Sequence, residues 1–376
     1  MKRVLFGVDS YFQLMGAVNL RTTLYKEWDA DVIIYNSIPS AGDVVERLRH
    51  TNVFGKVYFA ETSLTRCGKK YTFKEKFPKY FVYFASLFCP NLVLNNVCKE
   101  RISSIYDEFV FNGYGALPDC IFNSIYKSNN NAKCKRYEDG YLSYYTVYGS
   151  EKSVLRKKIE TIIETFTARK DIDKYVNGIY FMEPDLVLAK FPYPVIEAPK
   201  LSRQNKQLVE TLNFAFDYKD KSSLNKRIYI FEDGGLFFNA NNEEVDIVKA
   251  LLAGGIPASD FVVKMHPRRT EDRFKALGVE TIGKSNVPWE LIQLNNKFDD
   301  DFFITVASSI VFSSDIYFGD KCHKVLLVNC LKHNAPHINE TFKQYINAFK
   351  KKYGEDSLLM PNTYDELVEY INNIIN

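Results

Sequence analysis

The chain has 376 residues, of which 46% are hydrophobic and 25% are charged, and its formal net charge is +3. This length fits two domains, and the composition is globular, neither disordered nor fibrous. A charge this close to balance gives no support for nucleic-acid binding. The apolar start is too short for a signal peptide, and no apolar run approaches a membrane span. Seven cysteines without metal-ligand spacing are typical of reduced thiols in a cytoplasmic protein.

The first half of the chain alternates short apolar runs with segments of helical spacing. This alternation predicts an α/β domain with a Rossmann-like parallel sheet, although the GxGxxG dinucleotide motif is absent. The predicted strands of this half are 4–8, 31–35, 57–60, 107–111 and 132–137, and the predicted helices are 10–24, 41–48 and 119–126.

Residues 69–94 combine five lysines with many aromatic side chains. Two interpretations stay open for this segment. It can be an interfacial flap that contacts anionic lipid or glycan, or an amphipathic helix with a solvated basic edge. Peripheral association with the inner face of a membrane is therefore an open alternative.

A proline-rich run at 191–194, FPYP, is the best candidate for a linker, because two prolines stiffen an extended crossing. We therefore expect an N-terminal domain at residues 1–195 and a C-terminal domain at residues 196–376.

Three apolar runs of the second half, 228–231, 261–263 and 302–306, each end in a polar cluster. Helical spacing after the first run predicts parallel strands with crossover helices, and such sheets bind ligands at the carboxyl ends of their strands. Acidic, basic and hydroxyl groups at these ends predict a site for an anionic, phosphorylated ligand. The clusters contain Glu232, Asp233 and Gly234, then His266, Pro267 and Arg268, then Ser308 and Ser309.

Two turns, one in each half, carry adjacent carboxylates before a glycine. Glu138 and Asp139 form the first pair, and Glu232 and Asp233 form the second. Adjacent carboxylates repel each other, so one of each pair can have a raised pKa and serve as a general base toward a hydroxyl. The alternative is an ordinary acidic turn that caps a helix.

The other two clusters are suited to phosphate. Pro267 fixes the backbone after the imidazole of His266, and Arg268 supplies planar donors. Ser308 and Ser309 can begin a helix whose N–H groups bind phosphate together with the hydroxyls. A purely structural histidine at a strand end is the alternative for His266.

Asp299, Asp300 and Asp301 form an acidic run that a metal-dependent UDP-sugar glycosyltransferase could use to bind a divalent cation. The run precedes a predicted strand instead of following one, which argues against that site.

An acidic-acidic-glycine turn, a His-Pro pair and a Ser-Ser pair, in this order, resemble the bacterial sialyltransferases, and most closely glycosyltransferase family 52. The segment DSYFQLMGA at 9–17 resembles the TPYQLLNA-like start of that family. RYEDGYLSY at 136–144 is similar to its EDGxxSY segment, and KMHPR at 264–268 to its PHPR segment. Met265 stands where the family commonly has proline.

The resemblance implies two Rossmann-like domains of the GT-B type, an acceptor-side first domain and a donor-binding second one. It implies an inverting, metal-independent transfer from CMP-sialic acid to a glycan acceptor, with no further cofactor. His266, Ser308 and Ser309 would contact the donor phosphate, and His266 would assist the departure of CMP.

The resemblance implies two positions for the base. Within family 52 it points to Asp233, or Glu232, and we place Asp233 slightly ahead. Other bacterial families point to Glu138 or Asp139. Rival functions are a metal-dependent UDP-sugar glycosyltransferase and a catalytically inactive glycan- or nucleotide-binding protein. A homodimer is also an open alternative.

Overall fold

The computed structural model describes residues 1–36, 40–61, 90–98, 100–102, 105–113, 116–146, 161–162, 165, 170–219, 225–233, 243–266, 271–282, 287–331 and 338–375. The chain divides into two compact units, Met1–Tyr218 and Lys219–Asn376. Each unit contains one β-sheet in which every described strand pairing is parallel. The predicted α/β fold with two Rossmann-like domains is confirmed.

The described part of the first unit contains seven strands. They are β1 (Arg3–Val8), β2 (Asp29–Tyr35), β3 (Val57–Ala60), β4 (Glu108–Phe111), β5 (Lys133–Tyr137), β6 (Val176–Phe181) and β7 (Val195–Glu197). Their order across the sheet is β3-β2-β1-β4-β5-β6-β7. The strand order reverses between β1 and β4, and such a switch point is where α/β sheets bind ligands, at the carboxyl ends of the strands.

Three helices of the first unit lie where the spacing predicts them, at residues 11–22, 41–49 and 116–128. In the first of them, Ser10 is the N-cap and accepts a hydrogen bond from the Gln13 N–H at 3.1 Å, while Leu14, Ala17 and Val18 are buried. The helices with both ends in the described ranges are α1 (Tyr11–Thr22), α2 (Ala41–Arg49), α3 (Pro90–Val97), α4 (Ala116–Ser128), α5 (Leu142–Tyr145) and α6 (Lys206–Ala215).

In the described part of the second unit, five strands form one parallel sheet. They are β8 (Ile228–Phe231), β9 (Phe261–Lys264), β10 (Glu280–Ile282), β11 (Phe302–Thr305) and β12 (His323–Leu326). The order is β10-β9-β8-β11-β12, so the switch point lies between β8 and β11. All residues of β8, β9 and β11 are buried, which explains why these strands are continuous apolar runs in the sequence.

Helices cover this second sheet. The last one buries Leu367 and Ile371 completely, in the same apolar cluster as Ile247 and Leu251 of the helix that follows β8. A π-helical turn, Ser314–Phe318, directly continues a short helix after β11. The helices are α7 (Glu243–Ala253), α8 (Trp289–Asn295), α9 (Ile310–Ser313), α10 (Glu340–Tyr353) and α11 (Tyr364–Ile375).

The boundary between the units lies later in the chain than the predicted 195/196. The run at 191–194 leads into β7, which pairs with β6. Helix α6 packs against α1 and α2, so residues up to Tyr218 belong to the first unit. An extended proline-rich segment is equally typical of a linker and of the entry to an edge strand, and β7 is an edge strand.

Two further differences concern single elements. The apolar residues within 357–360 predict a short strand, but the structure has only one bridge there, between Val325 and Leu359. Strand β6 was not predicted, because Asn177 and Gly178 interrupt its apolar pattern.

Some residues with a predicted role lie outside the described ranges. These residues are 69–89 of the lysine-rich segment, Gly234, Pro267 and Arg268. Among the helices that the structure describes, none combines the length and apolarity needed to cross a membrane.

Candidate functional site

The three polar clusters of the second unit leave its sheet side by side. Phe231 at the end of β8 pairs with Lys264 of β9 on one side and with Thr305 of β11 on the other. The residues that follow these strands therefore start at the same level of the same edge. The structure thus brings together the backbone after β8, β9 and β11, where Asp233 and His266 lie, at the switch point of the sheet.

Asp233 connects the ends of β8 and β11. Its carboxylate Oδ2 accepts a hydrogen bond from the Ala307 N–H at 3.0 Å, and its own N–H donates to Oε1 of Glu244 at 3.2 Å. Hydrogen bonds to a charged partner contribute about 1.5–3 kcal/mol to stability. The turn after β11 therefore already binds an anion, and that anion is a side chain of the protein.

The sequence predicts that N–H groups at the start of helix α9 are available to bind phosphate. In the structure, two of the N–H groups before this helix already have acceptors in the protein. The Ser308 N–H donates to Oγ1 of Thr305 at 3.0 Å, and the Ala307 N–H donates to Asp233. Ser308 and Ser309 themselves are half-buried at this edge. Their hydroxyls, more than the backbone N–H groups, are the means by which this turn can bind a phosphate.

Glu232 is fully buried, with 0% of its side chain exposed. Its Oε2 accepts a hydrogen bond from the His266 N–H at 3.0 Å, and its Oε1 forms an ion pair with Arg273. A base must reach the hydroxyl of a substrate, and this carboxylate has no exposed surface from which to do so. In the structure, Glu232 therefore connects the backbone after β9 to Arg273.

Arg273 and Glu244 complete this arrangement, and neither was singled out in the sequence. Nη2 of Arg273 contacts Oε1 of Glu232 and lies 3.1 Å from Oε2 of Glu244. Burial lowers the pKa of Arg273, but its hydrogen bond to Glu232 and the charges of both glutamates outweigh that effect and raise it. The three side chains are distant in sequence, so no local pattern predicts their pairing.

His266 follows β9 and is half-buried, with its backbone N–H bound to Glu232. The chain thus fixes the backbone from which the imidazole projects. The other two residues predicted at this site, Pro267 and Arg268, lie outside the described ranges.

Asp299, Asp300 and Asp301 lie at the opposite edge of the sheet, before the first residue of β11. Asp299 accepts a hydrogen bond from the Lys321 N–H at 3.1 Å. Burial raises the pKa of Asp301 to about 6; Arg227 opposes this shift, and the two neighbouring carboxylates add to it. The acidic run is therefore separated from the other clusters by the length of a strand.

In the first unit, the pair Glu138 and Asp139 follows β5. Glu138 is buried, and its Oε1 accepts a hydrogen bond from the Met182 N–H at 2.7 Å. Asp139 is partly exposed to solvent although protein atoms surround most of it. The two side chains therefore differ in their exposure to solvent, and Asp139 is the more accessible of the two.

Asp139 is held by the residues that follow β1. Ser10 Oγ donates to Oδ1 at 3.1 Å, and Nε2 of Gln13 donates to Oδ2 at 3.0 Å. Oε1 of Gln13 accepts from the Asp9 N–H at 2.8 Å, which fixes the orientation of the amide. Burial raises the pKa of Asp139, and the hydrogen bonds from Gln13 and Ser10 partly offset that rise.

Gln13 lies in the 9–17 segment, to which the sequence assigned no individual role, and in the structure it binds the Asp139 carboxylate. It is 2% exposed on the first turn of α1, among apolar neighbours. A buried amide costs free energy unless it is hydrogen-bonded, so a glutamine at an otherwise apolar helix position is a signal that could have identified it.

Comparison with known proteins supports the fold. No protein-family model matches the chain, and no curated protein sequence matches it. LpCGTa, crystallised in complex with UDP, shares 12% sequence identity at a TM-score of 0.50, covering 100% of this chain and 90% of that one. CalG4, the calicheamicin glycosyltransferase, shares 10% identity at a TM-score of 0.49, with coverage of 100% and 90%. MurG from Acinetobacter baumannii shares 9% at a TM-score of 0.45, with coverage of 100% and 91%.

Likenesses at such low identity concern the fold alone. That fold is the GT-B type, two parallel-sheet α/β units, as predicted. Membership of glycosyltransferase family 52 receives no support from these comparisons.

Proposed function

We propose that this chain is a glycosyltransferase that transfers a sugar from a nucleotide-activated donor to a hydroxyl of a glycan acceptor. The observation that carries the proposal is the alignment of the ends of β8, β9 and β11. It places His266 and the turn with Ser308 at one level of the switch point of the second sheet. This is the edge at which α/β sheets bind nucleotides.

For the donor we propose CMP-sialic acid, on the strength of the motif order. His266 and the hydroxyls of Ser308 and Ser309 would contact its phosphate, and the charge on that phosphate increases as it leaves. A hydrogen-bond donor that is already held in place beside that phosphate raises kcat by about 10²–10³. No metal ion is required in this proposal, because the imidazole of His266 can donate a proton or a hydrogen bond to the leaving phosphate.

As the base we propose Asp139 ahead of Asp233. A general base works best when its pKa lies near the working pH, and burial raises the pKa of Asp139. The Asp139 carboxylate accepts hydrogen bonds from Ser10 and Gln13, and the Asp233 carboxylate accepts one from the Ala307 N–H. These donors are all neutral, so the preference for Asp139 rests on its raised pKa.

The proposed reaction is a direct displacement that inverts the anomeric centre. The acceptor oxygen forms a bond to the anomeric carbon while the bond from that carbon to the phosphate oxygen breaks. The proton of the hydroxyl passes to the base, and CMP departs with the bonding electron pair. Removal of that proton by a positioned base contributes about 10²–10⁴ to the rate.

A UDP-sugar is the second candidate for the donor. LpCGTa, which has the same fold, was crystallised with UDP. The acidic run of Asp299 to Asp301 is poorly placed to assist such a donor through a metal, since it lies at the other edge of the sheet.

The described cysteines support a cytoplasmic compartment for this reaction. Cys98, Cys120, Cys134, Cys322 and Cys330 are free thiols. Reduced thiols persist where the environment is reducing.

A thermal-shift comparison of CMP, CDP, UDP and GDP tests the donor. A nucleotide that binds only the native state at 100 times its Kd stabilises it by about 2.7 kcal/mol. We expect CMP to raise Tm most, with no change on addition of EDTA. A larger rise in Tm with UDP than with CMP would favour a UDP-sugar as the donor.

Product formation separates an enzyme from an inactive binding protein. CMP-sialic acid and a panel of oligosaccharide acceptors should give a sialylated product in the presence of EDTA. A protein that binds nucleotide but transfers no sugar from any activated donor would contradict the proposed enzyme.

A further inference from the structure

A buried ion triad lies beneath the edge of the second sheet. Arg273 is 17% exposed and contacts Glu232 and Glu244, whose side chains are 0% and 5% exposed. Two carboxylates and one guanidinium leave this cluster with a net charge of −1, so it is not built to attract phosphate. Removing one partner of such a buried pair is typically costly, because a charge is left unpaired.

Each glutamate of the triad also fixes one backbone N–H of the proposed site. Oε2 of Glu232 accepts from the N–H of His266 at 3.0 Å. Oε1 of Glu244 accepts from the N–H of Asp233 at 3.2 Å. The second oxygen of each carboxylate faces Arg273. A single guanidinium therefore determines the position of both acceptors.

We propose that Arg273 is a positioning residue of the donor site, and this inference rests on the proposed function. Through Glu232 and Glu244 it sets the spacing between the backbone after β8 and the backbone after β9. His266 and Asp233 project from those two segments. Arg273 itself touches neither the donor nor the reacting atoms in this proposal.

Arginine suits this role better than lysine. Its planar guanidinium presents several N–H donors in a fixed geometry, whereas an ammonium is a point charge on a flexible stem. Nη2 of Arg273 serves both glutamates at once. A lysine at this position would keep the charge and lose the fixed direction of the donors.

The test compares Arg273→Met with Lys324→Met. Lys324 forms a buried ion pair with Asp315 in the same unit, but it lies at the amino end of β12, at the opposite edge of the sheet. Both variants remove the cation from a buried pair, so both lose stability. The readout is amide hydrogen exchange at His266 and Asp233, measured by NMR on the full chain, together with kcat and KM for the donor.

We expect both amides to exchange at least about tenfold faster in Arg273→Met, because charge-assisted hydrogen bonds weaken, and to keep their rates in Lys324→Met. For the enzyme, kcat/KM for the donor should fall by about tenfold in the first variant alone. Arg273→Lys should restore part of both losses. Equal exchange at His266 and Asp233 in the two Met variants would overturn the proposal.

If Arg273→Met does not fold, Glu244→Gln replaces it, since glutamine keeps the shape of the side chain and removes its charge. The Asp233 amide should then exchange faster while the His266 amide changes less, and unchanged exchange at Asp233 would overturn the proposal. If the wild-type chain neither binds nucleotide nor transfers sugar, the amide measurements still decide the positioning role, and the proposed function is what fails.

Discussion

The Asp233 carboxylate accepts a hydrogen bond from the Ala307 N–H at 3.0 Å, which joins the two strand ends on either side of the switch point in the second sheet. Asp233 follows β8, and Ala307 follows β11. Through this hydrogen bond, the acidic turn after β8 and the serine turn after β11 are joined, although they are far apart in sequence. It also means that Asp233 has a structural partner, in addition to any role in chemistry.

The first prediction concerns that contact. Asp233→Ala should lower the free energy of unfolding by about 1.5–3 kcal/mol, because the charged acceptor is lost. Asp233→Asn keeps an acceptor oxygen and should lose less. With Asp139 as the base, Asp233→Asn should keep kcat within about tenfold of wild type. If Asp233→Asn folds and binds nucleotide but has no activity, that result would identify Asp233 as the base.

The second prediction concerns the first unit. Asp139→Asn should lower kcat by about 10²–10⁴ while the protein stays folded, since the amide cannot take the proton of the acceptor hydroxyl. Glu138→Gln is the matched control, because Glu138 is buried and its bond to the Met182 N–H can be made by an amide oxygen. Steady-state kinetics measure kcat for both variants. An active Asp139→Asn together with an inactive Glu138→Gln would exclude Asp139 as the base.

The third prediction concerns pH. Burial raises the pKa of Asp139, whereas the hydrogen bond from Gln13 lowers it. A base must be ionised to act, so kcat/KM falls as the pH falls through this pKa. Gln13→Leu removes a bond to the ionised form, so the acidic limb of the profile should move to higher pH.

Ser143→Ala is the control for that profile. The Ser143 hydroxyl accepts a hydrogen bond from the Asp139 backbone N–H at 2.9 Å, so this bond is to the backbone of Asp139. The acidic limb should stay in place in this variant. A shift of equal size in both variants would argue against Asp139 as the titrating group.

The fourth prediction concerns His266. His266→Ala should reduce kcat by about 10²–10³, the usual effect of removing a donor to a developing negative charge. His323→Ala is the control, because that histidine stacks on Phe302 and bonds Tyr370 at the other edge of the same sheet. It should change Tm and leave kcat unaltered. Normal turnover in folded His266→Ala would remove this residue from the mechanism.

The fifth prediction concerns stability. The pKa of Asp301 is raised from 3.8 to about 6 in the folded protein. A folded-state pKa above the unfolded value favours folding at low pH, and this contribution is lost as the pH rises through about 6. Asp301→Asn should therefore be more stable than wild type at pH values above that pKa, and the difference should vanish at acid pH.

Urea denaturation at several pH values measures that difference. Asp300→Asn should give a smaller difference of the same sign, because the Asp300 carboxylate is a minor cause of the shift. Catalytic activity should be unchanged in both variants, because the acidic run lies away from the proposed site. Loss of activity in Asp301→Asn, restored by a divalent cation, would favour the metal-dependent alternative.

Several features of this protein are determined by local sequence. The apolar runs at 228–231 and 302–306 are strands because β-branched and aromatic residues fill a sheet that is buried on both faces. Helix α1 begins where Ser10 can cap it. Parallel sheets bind ligands where strands end, so the polar clusters after those runs could be identified as candidates without any knowledge of the structure.

The tertiary structure decided which of these candidate side chains are buried. Glu232 and Glu138 carry the same chemistry as their neighbours, yet both are buried and bonded to backbone N–H groups of distant segments. Arg273 and Gln13 acquired their carboxylate partners only when segments distant in sequence became adjacent. Periodicity reports which residues are buried, but hydrogen bonds between distant segments depend on directions in space, and a linear pattern does not contain them.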